Sequence, residues 1–247
     1  MKVLLFLTGF RQVEEYDYFS RFLQRQDTLS RVCDVFIYCN NPDISEQIVT
    51  FYRAFAQQNK RLFITSVNAG FVMGAVEAVS NGIEMGVFTG YDYVIHLHPD
   101  VFITDEAPIV RLLEDNADDD CVFLVNHSLP DDERAFSFDF FVFKPGRLTE
   151  NIFIDELPSY QDIPEHFLFD MLTRKRVPYK VVPRFDSGDW FPRRIDDQLK
   201  LYHEHDLGLV EALWEAGMAR PAERSTTVVA KWQPPVVELH PSSPQKR

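Results

Sequence analysis

The chain has 247 residues, 45% of them hydrophobic, and its 38 Asp and Glu against 25 Lys and Arg give a formal net charge of −13. That length suits one α/β domain with a buried central sheet, and the apolar content excludes a wholly disordered chain. The acidic balance argues against a nucleic-acid binder, whose affinity rests on Lys and Arg meeting phosphates, so a small anionic ligand here needs local cations or a metal ion.

Val3 to Leu7 is a short apolar run followed by Thr8-Gly9-Phe10-Arg11, and it reads as a first buried strand rather than a signal segment because no small-residue cleavage site follows. A helix over about Tyr16 to Leu29, with apolar residues at three- and four-residue spacing, completes a βα unit. The pattern recurs: a strand Asp34 to Cys39 closed by Asn40-Asn41-Pro42-Asp43, then a helix from about Ser45 to Gln58. A strand from Arg61 to Val67, a helix from about Val72 to Gly86 and a strand from Tyr93 to Leu97 follow. This rhythm predicts parallel strands with right-handed crossovers and a ligand beyond their carboxyl ends.

Past Asp100 the pattern loosens into a helix near Ala107 to Glu114, strands Cys121 to Val125 and Phe138 to Phe143, a helix Glu165 to Arg176 and a strand Tyr179 to Pro183. Residues 1–218 therefore read as one domain, and the Pro-rich, polar stretch 219–247 reads as a tail. Cys33, Cys39 and Cys121 are odd in number and lack a CxxC spacing, which predicts buried thiols in a reducing compartment. With no apolar stretch near the roughly 20 residues of a membrane span, the expected location is cytoplasmic.

The richest segment for chemistry is Tyr93-Val94-Ile95-His96-Leu97-His98-Pro99-Asp100, where an apolar strand runs into a polar triplet. Pro99 lacks an N–H and ends the ladder, so Asp100 falls on a rigid turn at the ligand edge. Cleavage of a sugar–diphosphate bond needs charge neutralised on the departing group, and a carboxylate-held divalent cation supplies it. His96, His98 and Asp100 stand on alternate residues, which also admits a metal-dependent hydrolase. No Gly-x-x-x-x-Gly-Lys or Gly-x-Gly-x-x-Gly occurs, so the P-loop and dinucleotide readings lack their fingerprints.

The run Asn68-Ala69-Gly70-Phe71, then Asn81-Gly82-Ile83, then Asp92-Tyr93-Val94-Ile95 and Pro99-Asp100-Val101 resembles glycosyltransferase family 2, above all its rhamnosyltransferase-like members. The likeness is close over these residues and looser over the first two-thirds of the chain. It implies a GT-A fold, an α/β architecture with a mostly parallel sheet flanked by helices. It further implies a donor that is a UDP, GDP or dTDP sugar and an acceptor hydroxyl on a glycan or glycoconjugate. Thr8, Gly9, Phe10 and Arg11, with Asn40, Asn68, Gly70, His98, Asp100 and Asp139, become the candidates for the nucleotide sugar.

The family's metal motif has an acid where this chain has His98, and imidazole suits Mn²⁺ better than Mg²⁺. Asp100 and His98, with His203 or His205 from Tyr202-His203-Glu204-His205-Asp206, are the candidate ligands. Asp139, a lone carboxylate in Phe138-Asp139-Phe140-Phe141, lies on a strand similar to one in retaining family 8 that contacts the donor sugar or lies near the acceptor. The family carries a Glu-Asp pair at a comparable helix start; Glu165 matches the Glu and His166 replaces the Asp, which makes Glu165 the candidate base and places His166 near the acceptor. An acid also suits a first helical turn through the dipole alone. Trp190, in Ser187-Gly188-Asp189-Trp190, is a candidate platform for the acceptor sugar. Family 2 favours inversion, and family 8 keeps retention open. A catalytically silent sugar-nucleotide-binding domain is the remaining alternative.

Overall fold

The structure, a computed structural model, describes residues 1–9, 13–55, 57, 59–68, 71–103, 105–118, 122–126, 134, 136–148, 164–182, 201–203 and 206–218. Strand β1 (Val3–Gly9) is buried almost throughout and lies between β2 (Cys33–Cys39) and β4 (Tyr93–Leu97), parallel to both. β3 (Lys60–Ile64) pairs in parallel with β2 at the sheet's edge. A central parallel strand has both faces covered, which is why its sequence is an unbroken apolar run.

Helices divide between the faces according to the strand's alternation. Val3, Leu5 and Leu7 pack with Tyr16, Phe19 and Phe22 of α1 (Val13–Arg25) and Ile48 of α3 (Ser45–Ala54). The same layer takes Ile109 and Leu113 of α5 (Ala107–Asp115). Leu4 and Phe6 point the other way, into Val76 and Val79 of α4 (Phe71–Glu84) and the cluster holding Phe167 and Met171 of α6 (Pro164–Arg174). Each such side chain contributes roughly 1.5–3 kcal/mol of burial. A short α2 (Leu29–Val32) fills the link between α1 and β2.

The seven-stranded sheet has the order β3-β2-β1-β4-β7-β6-β8, completed by β6 (Val122–Asn126), β7 (Phe136–Phe143) and β8 (Tyr179–Val182). β7 runs antiparallel to both β4 and β6, whereas β6 and β8 are parallel. The reversal of one strand agrees with the mostly parallel sheet expected from the sequence. Its cause is the link 127–135, shorter than the dozen or so residues that a crossover needs. A second, two-stranded sheet pairs β5 (Val101–Ile103) with β9 (Leu201–His203), and α7 (Leu207–Met218) follows. No helix among the described residues is long and apolar enough to cross a membrane. Cys33 and Cys39 are buried free thiols, as expected; Cys121 and the tail 219–247 lie outside the described residues.

Candidate active site

The strand order runs one way from β1 through β2 to β3 and restarts on β1's other side with β4. That makes the β1/β4 carboxyl edge a switch point, where open α/β sheets hold ligands. Thr8 and Gly9 end β1 there, and His98, Pro99 and Asp100 follow β4. The expected turn is present: residues 99–100 form it, and the Val101 N–H donates to the His98 carbonyl at 3.1 Å. Pro99 packs on Gly9 so closely that a Cβ there would stand 2.7 Å from the proline Cγ and 2.6 Å from the Tyr16 hydroxyl. The role of Gly9 is thus to let two chain segments and a tyrosine meet.

His96 points into the sheet's interior. It is 0% exposed, its Nε2 lies 2.9 Å from the Thr8 hydroxyl, and its ring stacks on Phe141 with centroids 4.4 Å apart. Burial holds its imidazole well below the usual histidine range; His98 adds to that, and Asp139 opposes it. The strand alternation that would align His96, His98 and Asp100 as ligands ends at Leu97. Among the described residues no group of three His, Cys, Asp or Glu could hold a metal ion.

His98 faces Asp139 instead. Its Nδ1 lies 3.1 Å from Asp139 Oδ1, its backbone N–H donates to the Asp139 carbonyl at 2.9 Å, and the Ser137 hydroxyl donates to Asp139 Oδ2 at 3.3 Å. The reversed β7 makes this possible: residues beyond the carboxyl end of β4 meet residues near the middle of β7. Asp100 has a buried Oδ1, and its charge is one of the smaller causes, after burial, Cys39 and Glu15, that raise the Tyr16 hydroxyl's pKa.

Asn40 is buried, and its side chain occupies the notch left by Gly74 in α4, where a Cβ would fall 2.8 Å from the asparagine Cγ. Asn68 is exposed after β3. Glu165 lies in the first turn of α6, and beside it His166 is buried with Nδ1 accepting from Arg134 at 3.5 Å. β9 sets His203 in register with Val101, the residue after Asp100. Phe10, Arg11, Gly70, Trp190 and His205 lie outside the described residues. Tyr16 and Ser137 are site neighbours that no sequence signal marked, since each reads as part of an apolar periodic element.

By chemical type Asp100, a carboxylate on a turn, and His98, an imidazole backed by the Asp139 carboxylate, suit a divalent ion, but the described residues supply no third ligand, and the backbone register sets His203 opposite Val101.

No protein-family model matches the chain. No curated protein matches it. Solved structures do. The mannosyltransferase PcManGT from Pyrobaculum calidifontis, in complex with GDP-Man and Mn²⁺, superposes with TM-score 0.53 at 10% identity over 74% of this chain and 55% of that one. S. aureus TarS 1-349 gives 0.51 at 14% over 88% and 65%, and S. aureus TarS gives 0.54 at 13% over 86% and 38%. This chain thus spans less than two-thirds of the length of each. At such identities the likeness speaks for the fold, and with the strand order, the single reversed strand and the edge described above, the chain has the GT-A fold of nucleotide-sugar glycosyltransferases.

Proposed function

We propose that the protein transfers a sugar from a nucleoside-diphosphate sugar to a hydroxyl of a glycan or glycoconjugate acceptor, with inversion. The observation that carries this reading is the placement of Asp100 on a turn at the switch point of a GT-A sheet, with His98 before it and the following Val101 in register with His203. The solved mannosyltransferase of the same fold, in complex with GDP-Man and Mn²⁺, supports the donor class.

Asp100, His98 and His203, with His205 nearby in sequence, would hold a divalent cation, Mn²⁺ suiting the imidazoles better than Mg²⁺. Such an ion supplies charge neutralisation at the donor diphosphate. Thr8, Gly9, Asn40 and Asn68 stand at or just after the carboxyl ends of β1, β2 and β3 and, with Phe10, Arg11 and Gly70, would receive the nucleotide. Glu165 takes the proton of the acceptor hydroxyl as that oxygen bonds to the anomeric carbon and the bond to the diphosphate oxygen breaks, its electron pair leaving with the phosphate. His166 and Trp190 would flank the acceptor.

The test is product analysis with a panel of UDP, GDP and dTDP sugars, with and without Mn²⁺. Transfer, or slow donor hydrolysis, that disappears in Asp100→Ala is the expected result. Nucleotide binding without turnover of any donor would mark a silent domain, and metal-dependent cleavage of unrelated esters or amides would overturn the transferase.

A further inference from the structure

Asn40 is 4% exposed, and its side chain packs into α4. Strand alternation sets this direction. Phe36 and Tyr38 of β2 face α4 in the cluster of Val76 and Val79, and Asn40, two residues past Tyr38, continues that row. On α4, Gly74 and Asn81 are seven residues apart and so lie on one helix face. Asn81 donates through Nδ2 to the Tyr38 hydroxyl at 2.6 Å, and Gly74 leaves the notch that the Asn40 amide fills. The Asn40 N–H donates to the Gly9 carbonyl at 3.1 Å, and Gly9 is the residue against which Pro99 and Tyr16 pack. One buried asparagine thus ties the ends of β1 and β2 to the first turn of α4, the helix that follows directly on the candidates Asn68 and Gly70.

We propose that Asn40 is a positioning residue of the nucleotide site and not one of its contacts: seated in the Gly74 notch, it sets how far the start of α4 stands from the β1–β2 edge. This rests on the reading of that edge as the donor site, and it narrows the part of Asn40 in receiving the nucleotide to holding the wall. Protein interiors are close-packed, so a methyl group added or an amide removed at this junction is passed on to the elements that it separates. The notch has a definite size. A Cβ on residue 74 would stand 2.8 Å from the Asn40 Cγ, too close for either to stay in place, but 3.5 Å from the Asn40 Cβ, an ordinary van der Waals contact. Gly74→Ala alone therefore displaces the Asn40 side chain, whereas Gly74→Ala combined with Asn40→Ala has room for both methyl groups.

The experiment compares the full wild-type chain with Asn40→Ala, Gly74→Ala and the double variant. Calorimetric titration with UDP, GDP and dTDP reads affinity, on chains whose urea midpoints show them folded. The expected result is that each single substitution weakens binding of the wild type's preferred nucleotide about tenfold and that the double variant returns to within about threefold of wild type, a coupling of the size found between residues in contact.

A residue that serves stability alone would shift the urea midpoints and leave the affinities equal. An Asn40 amide that holds the nucleotide directly would leave the double variant as weak as Asn40→Ala. Either outcome overturns the proposal and leaves the donor reading standing. So does a crystal structure of the wild-type chain with nucleotide bound in which the Asn40 amide lies within hydrogen-bond distance of it, a measurement that needs no variant to fold. A wild-type chain that binds none of the three nucleotides would overturn the donor reading and the positioning role together.

Discussion

Two residues carry expectations that follow from single side chains. Gly9 is the contact point of Pro99 and Tyr16, and neither the proline ring nor a fully buried tyrosine can yield easily to an added methyl group at 2.6–2.9 Å. Gly9→Ala should lose about 1–3 kcal/mol of stability by overpacking, read as a lower urea midpoint at unchanged slope. His96 gives a pH dependence of known sign. Its folded-state pKa lies below the ordinary value of about 6.5, so above that pH its contribution is fully present. Below about 6.5 the unfolded chain takes up a proton that the native site refuses, and stability falls by up to about 1.4 kcal/mol per pH unit until the native group titrates too. Unfolding measured between pH 7.5 and 5 should show this slope, and His96→Phe, which suits the surrounding Phe6, Phe138 and Phe141, should flatten it. An unchanged slope would show that another group governs the acid limb.

At the scale of elements, the Glu106 carboxylate caps α2 from a distance. Its oxygens accept from the Asp27, Thr28 and Leu29 N–H groups at 3.0, 2.8 and 2.7 Å, joining the turn after α1 to the start of α5. Glu106→Ala strips a helix start of a charged acceptor in a largely buried setting and should destabilise by about 1–3 kcal/mol, with Glu106→Gln losing less. Elements of this length are also where reading the sequence succeeds or fails. β1, β2, β4 and α4 are long, periodic and closed by Gly, Asn or Pro, so they stand in the sequence almost at their observed ends, and the switch point follows from their order. β5 and β9 have three residues each and no period of their own; they exist because distant segments pair. The direction of β7 is equally hidden in its composition, and with it the His98–Asp139 contact, which depends on that reversal. The turn at Asp100 was legible because a proline marks it, whereas the contact of the Tyr16 hydroxyl with that turn was not, because an aromatic on a helix's apolar face looks like any other core residue.

The whole molecule sets the field in which a donor arrives. A net charge of −13 repels a nucleoside-diphosphate sugar, and the acidic candidates at the edge, Asp100 and Asp139, add to that locally. Arg11 is the one cation among the candidate residues. The long-range part of this repulsion is screened with a Debye length that shrinks from about 30 Å at 0.01 M salt to about 10 Å at 0.1 M. Binding of UDP, GDP or dTDP in the absence of divalent ions should therefore tighten as monovalent salt rises through that range, the reverse of the usual behaviour of phosphate-binding proteins. If the proposed cation site at Asp100 is correct, saturating Mn²⁺ should strengthen binding and weaken the salt dependence, since short-range neutralisation of the diphosphate is screened least. Calorimetric titrations at several salt concentrations, with EDTA or Mn²⁺, would read both effects. Binding that weakens with salt in EDTA would instead assign the diphosphate to a local cluster of cations, with Arg11 the first residue to replace.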